Sequence, residues 1–160
     1  MGLEAVKVSR KTDYALRVLV TLAGEAPETV LSIRRLAERN DVPRRFLEQI
    51  MIELRSQGWV RAVAGRDGGY ALAVAPHSLT MGRIVRHFDG VLAPIGCVSV
   101  AHREPCSQEK DCRFRRVFLA VRNHVAGMLD RLTLADLAKG DFTTADVPVE
   151  PVRNGGRKGI

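Results

Sequence analysis

A chain of 160 residues, 46% of them hydrophobic, has room for one domain, or for one small domain with an added pairing helix. Its formal net charge of +7 favours an anionic partner without singling out nucleic acid. No apolar run approaches the roughly 20 residues of a membrane span. Lys7, Arg10, Lys11 and Asp13 break the opening stretch, which does not read as a signal peptide. The expected setting is the cytoplasm, with no membrane partner and with thiols kept reduced.

The predicted elements begin with a helix from about Lys11 to Gly24, on which Tyr14, Ala15, Val18, Leu19, Leu22 and Ala23 recur at helical spacing. Ser32 suits the N-cap of a short second helix that faces Ile33, Leu36 and Ala37 inward. Asn40 to Val42 make a turn, and Pro43 suits the first turn of a third helix. There Phe46, Leu47, Ile50, Met51 and Leu54 form an apolar stripe closed by Gly58. Two short alternating runs, Val60 to Ala64 and Tyr70 to Val74, flank a glycine-rich turn and predict a β-hairpin. Trp59 and Tyr70 are expected to anchor it in the core rather than to stack on bases.

Pro76 breaks the chain, and a helix from about Thr80 to Phe88 follows. Residues 89–112 read as a loop punctuated by Gly90, Pro94, Gly96 and Pro105. From Arg113 a long helix carries Phe114, Val117, Phe118, Val121, Val125, Met128 and Leu132 in a heptad-like seam. Thr133 and Asp136 form a capping box for a last short helix ending at Gly140. The polar, glycine-rich remainder reads as a disordered tail. The expected fold is mainly α: a winged helix-turn-helix with a two-stranded β-hairpin wing and a long C-terminal dimerisation helix. Its divisions are a DNA-binding domain over 8–78, a cysteine-loop and dimerisation region over 79–140, and the tail over 141–160.

Arg44 and Arg45 stand at the start of the third helix, the end that enters the major groove in helix-turn-helix readers. An arginine fork can discriminate guanine by about 1–3 kcal/mol. Gln49 lies further along and reaches a base edge only if the helix is rotated suitably. Ser32, Arg34 and Arg35 on the second helix, with Arg61 and Arg66 on the wing, are placed for phosphates, as is Arg39. Any one of these arginines could belong to a solvated face; the group in this setting points to double-stranded DNA. Glu48 and Glu53 would repel phosphate, so only part of the reading helix can meet the backbone.

All three cysteines, Cys97, Cys106 and Cys112, fall in the loop with the spacing C-x8-C-x5-C. Thiolates gathered in this way suit an iron–sulfur cluster or zinc, and free, redox-active thiols are the third possibility. His102 lies between the first two and could serve either metal; His87 and His124 read as ordinary helix-surface residues.

Several segments taken together resemble the Rrf-type winged-helix regulators, the group of IscR, NsrR, RirA and CymR. They are Lys11 to Arg17 (KTDYALR), Phe46 to Gln49 (FLEQ), Gly68 to Leu72 (GGYAL), the three-cysteine loop and Leu132 to Leu137 (LTLADL), in that order. The resemblance implies a homodimeric bacterial transcription regulator paired through the long helix at about 113–131. It implies that the three cysteines hold an iron–sulfur cluster. It also implies, as in the NsrR-like branch, a fourth ligand from an acid near the start of the first helix of the other subunit, here Asp13. The IscR-like branch uses a histidine three residues after the last cysteine. That residue is Arg115 here and cannot ligate. The first cysteine gap is longer than in IscR or NsrR, and the wing carries Ala64-Gly65 where Arg-Gly is common.

The function expected is therefore a dimeric regulator sensing iron, redox state or nitric oxide through a cluster on Cys97, Cys106, Cys112 and Asp13. A metal-free or thiol-redox regulator acting with a partner protein is the alternative. An enzyme is not expected: a small thiol oxidoreductase has little support, with no C-x-x-C and no glycine-rich phosphate loop.

Overall fold

The computed structural model describes residues 7–140, so the tail expected over 141–160 lies outside the described residues. The first helix, α1 (Arg10–Ala23), starts one residue earlier than its apolar pattern. Ser9 is the reason: its hydroxyl accepts the Thr12 N–H at 3.2 Å, a cap the periodicity cannot register. The Ser9 N–H in turn donates to the Asp89 carboxylate at 2.8 Å. α2 (Ile33–Asn40) is capped by Ser32, as predicted. Asp41 then adopts a left-handed conformation that turns the chain toward α3 (Arg44–Ser56). Pro43 occupies the N-cap position of α3 rather than its first turn.

The buried stripe of each helix meets in one core. Val18, Leu19 and Leu22 of α1 pack with Leu36 of α2 and with Leu47, Ile50, Met51 and Leu54 of α3. The polar Asn40 is admitted because it is satisfied. Thr21 Oγ1 donates to its Oδ1 at 2.8 Å, and its Nδ2 donates to the Leu36 carbonyl at 2.8 Å. These bonds fix the α2–α3 turn against α1.

The wing is an antiparallel pair, β1 (Val60–Val63) and β2 (Gly69–Leu72), with Val60 opposite Leu72 and Val63 opposite Gly69. Trp59 and Val60 are buried in the core. In β2 the fully buried residue is Ala71, while Tyr70 is half-buried against the core edge, so the expected alternation is shifted by one. Leu31 and Tyr70 exchange backbone bonds of 2.9 and 2.8 Å, adding a third short partner to the hairpin. This approach demands glycine at 69, because a Cβ there would sit 2.8 Å from the Ser32 nitrogen.

α4 (Met81–Asp89), capped by Thr80, leads into the cysteine loop. α5 (Arg115–Arg131) begins two residues later than expected, because the Phe114 carbonyl is where its first-turn hydrogen bonds begin, from Val117 and Phe118. α4 and α5 pack closely at Gly82, where a Cβ would come within 3.0 Å of the Asp130 nitrogen. Arg86 grips Asp130 with two bonds, 3.0 and 2.5 Å, and that carboxylate raises the guanidinium pKa still further. α6 (Leu134–Lys139) carries the predicted capping box of Thr133 and Asp136. The Leu79–Leu134 and Met81–Leu132 backbone bonds tie it to the start of α4. No described helix is long and apolar enough to cross a membrane.

Candidate functional site

Ser32, Arg34, Arg35, Arg44, Arg45 and Gln49 are all exposed, so the surfaces of α2 and α3 away from the core carry the predicted reading residues. Their charges are not equally available. Arg44 is held by Glu48 at 3.1 Å, and Arg61 on the wing pairs with Glu28. Arg34 approaches Glu38 only to 4.0 Å with both side chains well exposed, an interaction worth little in water. Arg39 pairs with Glu25 at 2.5 Å. Among the described residues, Arg35, Arg45 and the exposed Arg66 of the wing turn have no carboxylate partner. The acids that seemed to obstruct the reading helix are occupied, Glu48 by Arg44 and Glu53 by Lys11.

Gln49 is exposed one turn beyond Arg45 on the same helix. Ile52, next along the same face, is 56% exposed and apolar. The predicted stripe did not include it, and Phe46, which the stripe did include, is also exposed at 42%. An apolar side chain there can meet a thymine methyl.

The reading helix is linked to α1 through aromatic rings. Tyr14 meets Phe46 edge to face at 5.6 Å, and the Arg17 guanidinium lies 5.7 Å from the Tyr14 ring. Arg17 also binds Asp13 through two contacts of 2.8 and 3.2 Å and reaches the Asn40 carbonyl at 3.4 Å. Asp13 is thus a half-exposed carboxylate engaged by its own helix.

The cysteines occupy separate parts of the loop. Cys97 is half-buried in a 3-10 turn, Gly96–Val98; Cys106 is exposed; Cys112 is half-buried just before α5. Among the described residues no three His, Cys, Asp or Glu side chains converge on a point that could hold a metal ion. Three thiols and an acid from elsewhere remain a donor set whose chemistry fits an iron–sulfur cluster. Within one chain, however, the set is not preassembled. His102 is exposed, its N–H bonded to the Ser99 hydroxyl, and it joins no such group. His124 and His87 are both exposed on their helices, as expected, and His87 also lies edge to face against Trp59 and Phe88 at 5.4 and 4.7 Å.

Side chains of α5 hold the loop at both ends. Arg122 Nη1 donates to the Val98 carbonyl at 2.7 Å, beside Cys97. Arg115 Nη2 binds Glu109 Oε1 at 2.9 Å, between Cys106 and Cys112. α5 itself buries no residue, and Phe114, Val117 and Val121 are 60%, 61% and 42% exposed. This chain therefore leaves the N-terminal part of the predicted seam, Phe114, Val117 and Val121, uncovered, while Phe118, Val125, Met128 and Leu132 are partly buried.

Residues 8–140 match the Rrf2 family, described as iron-dependent transcriptional regulators. An rrf2-like HTH-type transcriptional regulator of Rhodobacter capsulatus is 39% identical over 136 residues, covering 81% of this chain and 91% of that protein. Among solved structures, CymR of Bacillus subtilis, described as its global cysteine regulator, superimposes with a TM-score of 0.71 at 30% identity, covering 85% of this chain and 98% of CymR. The IscR of T. potens gives 0.62 at 32% identity, over 84% and 87%.

Proposed function

From the premise that this chain belongs to the Rrf2 family of DNA-binding transcription regulators, we propose that it works as a homodimer whose cysteine loop senses iron, redox state or nitric oxide through an iron–sulfur cluster. The observation that carries the reading is the position of the loop. All three thiols of the chain lie on one segment, moored by Arg115 and Arg122 to a helix with an uncovered apolar face. A second copy of the chain covers that face. Cys97, Cys106 and Cys112 hold the cluster with Asp13 of the other subunit, and the bound group supplies a redox-active, ligand-exchangeable iron.

The residues of the chain convert that state into DNA affinity. Ligation through one Asp13 oxygen competes with its contacts to Arg17, which engage both oxygens. Arg17 also touches the α2–α3 turn and lies against Tyr14, which packs on Phe46 of the reading helix. Arg45 and Gln49 read base edges, while Ser32, Arg34, Arg35, Arg61 and Arg66 contact phosphates and Arg44 joins them when it leaves Glu48. Dimer pairing through α5 presents two heads to half-sites about one DNA turn apart.

The test begins with anaerobic purification, a visible spectrum and iron and sulfide analysis. It continues with binding of loaded and cluster-free protein to duplexes selected from a randomised pool. The expected outcome is a coloured protein whose two forms differ in affinity; equal affinity sinks the switch. Arg45→Ala is expected to lower discrimination at one base pair by about 1–3 kcal/mol. A uniform loss over all sequences would reassign Arg45 to phosphate.

A metal-free thiol switch is the second reading. It is favoured by the exposure of Cys106 and the lack of a ready three-ligand cluster among the described residues, and by the likeness to a cysteine regulator. A colourless anaerobic protein whose DNA binding changes on thiol oxidation would establish it in place of the first.

A further inference from the structure

Arg115 is the first residue of α5 and stands three residues beyond Cys112. Its guanidinium is drawn inward, with the side chain 28% exposed. Nη2 forms an ion pair with Glu109 Oε1 at 2.9 Å, and the same oxygen accepts a hydrogen bond from Arg103 Nη2 at 2.9 Å. Glu109 is in turn held to the loop, its N–H donating to the Cys106 carbonyl at 3.1 Å. Arg115 is therefore moored to the turn that separates Cys106 from Cys112.

Its Nε is buried and has no hydrogen-bond partner, the one such side-chain atom among the described residues. On a guanidinium, Nε–H and one Nη–H lie parallel along one edge and commonly grip both oxygens of a carboxylate. With Glu109 engaged by Nη2 alone, the buried Nε–H is a charged donor left without an acceptor, which native proteins rarely tolerate. Of the anionic groups in this part of the loop, Glu109 is already shared and Glu104 and Asp111 are exposed to water. The half-buried sulfur of Cys112 is the nearest in sequence that remains.

We propose that Arg115 is a positioning residue of the sensor site: its Nε–H donates to an anionic sulfur of the loaded loop, the Cys112 thiolate or a cluster sulfide, and the Glu109–Arg103 pair holds it there. The proposal rests on the cluster reading and adds to it a residue that is not a ligand. A cluster on three thiolates and a carboxylate carries excess negative charge. A hydrogen bond to sulfur draws that charge off and raises the reduction potential. Such outer partners commonly change metal affinity or activity by 10–100-fold when removed. Arginine at 115 thus compensates charge at a position where a ligating residue would add to the donor set.

The experiment uses the full chain reconstituted anaerobically with ferrous iron and sulfide. It compares wild type with Arg115→Met, Arg115→Lys and, as a control for charge, Arg113→Met at an exposed neighbour. The midpoint potential and the rate of bleaching in air are measured. Arg115→Met is expected to lower the potential and to bleach about tenfold faster. Arg115→Lys, which keeps the charge and loses the parallel edge, is expected to recover only a minor part of both changes. Arg113→Met should match wild type. Glu109→Gln leaves Arg115 in place, weakens its mooring, and should shift both readouts in the same direction by less, which serves if Arg115→Met does not fold. Wild-type values in Arg115→Met, full recovery in Arg115→Lys, or unchanged values in Glu109→Gln where Arg115→Met cannot be measured, each overturn the proposal while the cluster reading stands. A wild-type chain that takes up neither iron nor sulfide removes the cluster reading and the proposal with it.

Discussion

The reading head and the cysteine-loop half of this protein treat their apolar surface in opposite ways. In the head, α1, α2 and α3 each bury a stripe, and the one buried amide, Asn40, has partners on both its oxygen and its nitrogen. In the other half α5 buries no residue, the three thiols are free and form no ready metal site among the described residues, and a buried Arg115 nitrogen has no acceptor. The head satisfies its buried polar amide within one chain, and of its large apolar side chains Phe46 and Ile52 stay exposed. The second half has the composition of a structure completed by something else, a second subunit at the seam and a bound group at the loop in the reading proposed above.

The largest effect that would sharpen this contrast is a cavity in the head. Leu47 is fully buried, so Leu47→Ala should cost about 2–5 kcal/mol in urea unfolding. A loss below 1 kcal/mol would mean that the head is packed no better than α5. Next comes the seam. Val117→Asp together with Val121→Asp replaces exposed residues and should leave the head's unfolding unchanged, yet weaken self-association by roughly 2 kcal/mol, about thirtyfold. Analytical ultracentrifugation reads this directly, and an unaltered association constant would remove α5 from the interface.

The smallest effect concerns the junction of the two halves at α6. The Thr133 hydroxyl, and then its backbone N–H, hold the Asp136 carboxyl below its ordinary pKa. A lowered folded-state value means that the contribution is present above the unfolded pKa and is lost as pH falls through the folded one. Thr133→Ala should cost about 1 kcal/mol near neutrality and flatten the acid limb of the stability profile. An acid limb as steep as that of wild type would assign the cap no role there.

Much of the head was legible in the sequence because local forces decide it. The α3 stripe of Leu47, Ile50, Met51 and Leu54 has a helical period, although the predicted Phe46 stands exposed at 42%, and Ser32 and Thr133 are side chains that cap within three residues. The misses share a physical cause. Ser9 capped α1 one residue outside its periodic pattern. The wing buried Ala71 because the Leu31 bridge and the core edge set its register, not its own alternation. Of the residues proposed to contact DNA the types were legible but their availability was not, since Arg61 pairs with Glu28, 33 residues away.

By itself the sequence determined where the helices and the hairpin lie, that the chain has three thiols on one loop, and that residue 115 cannot be a ligand. These follow from periodicity, capping and side-chain chemistry, which act over a few residues. Only the tertiary structure decided which arginines are free of carboxylate partners among the described residues, that Gln49 and Ile52 are both exposed, that Arg122 clasps the Val98 carbonyl, and that the Arg115 Nε–H is buried unmet. Those outcomes depend on distance and burial between groups that packing brings together, and no local spacing encodes them.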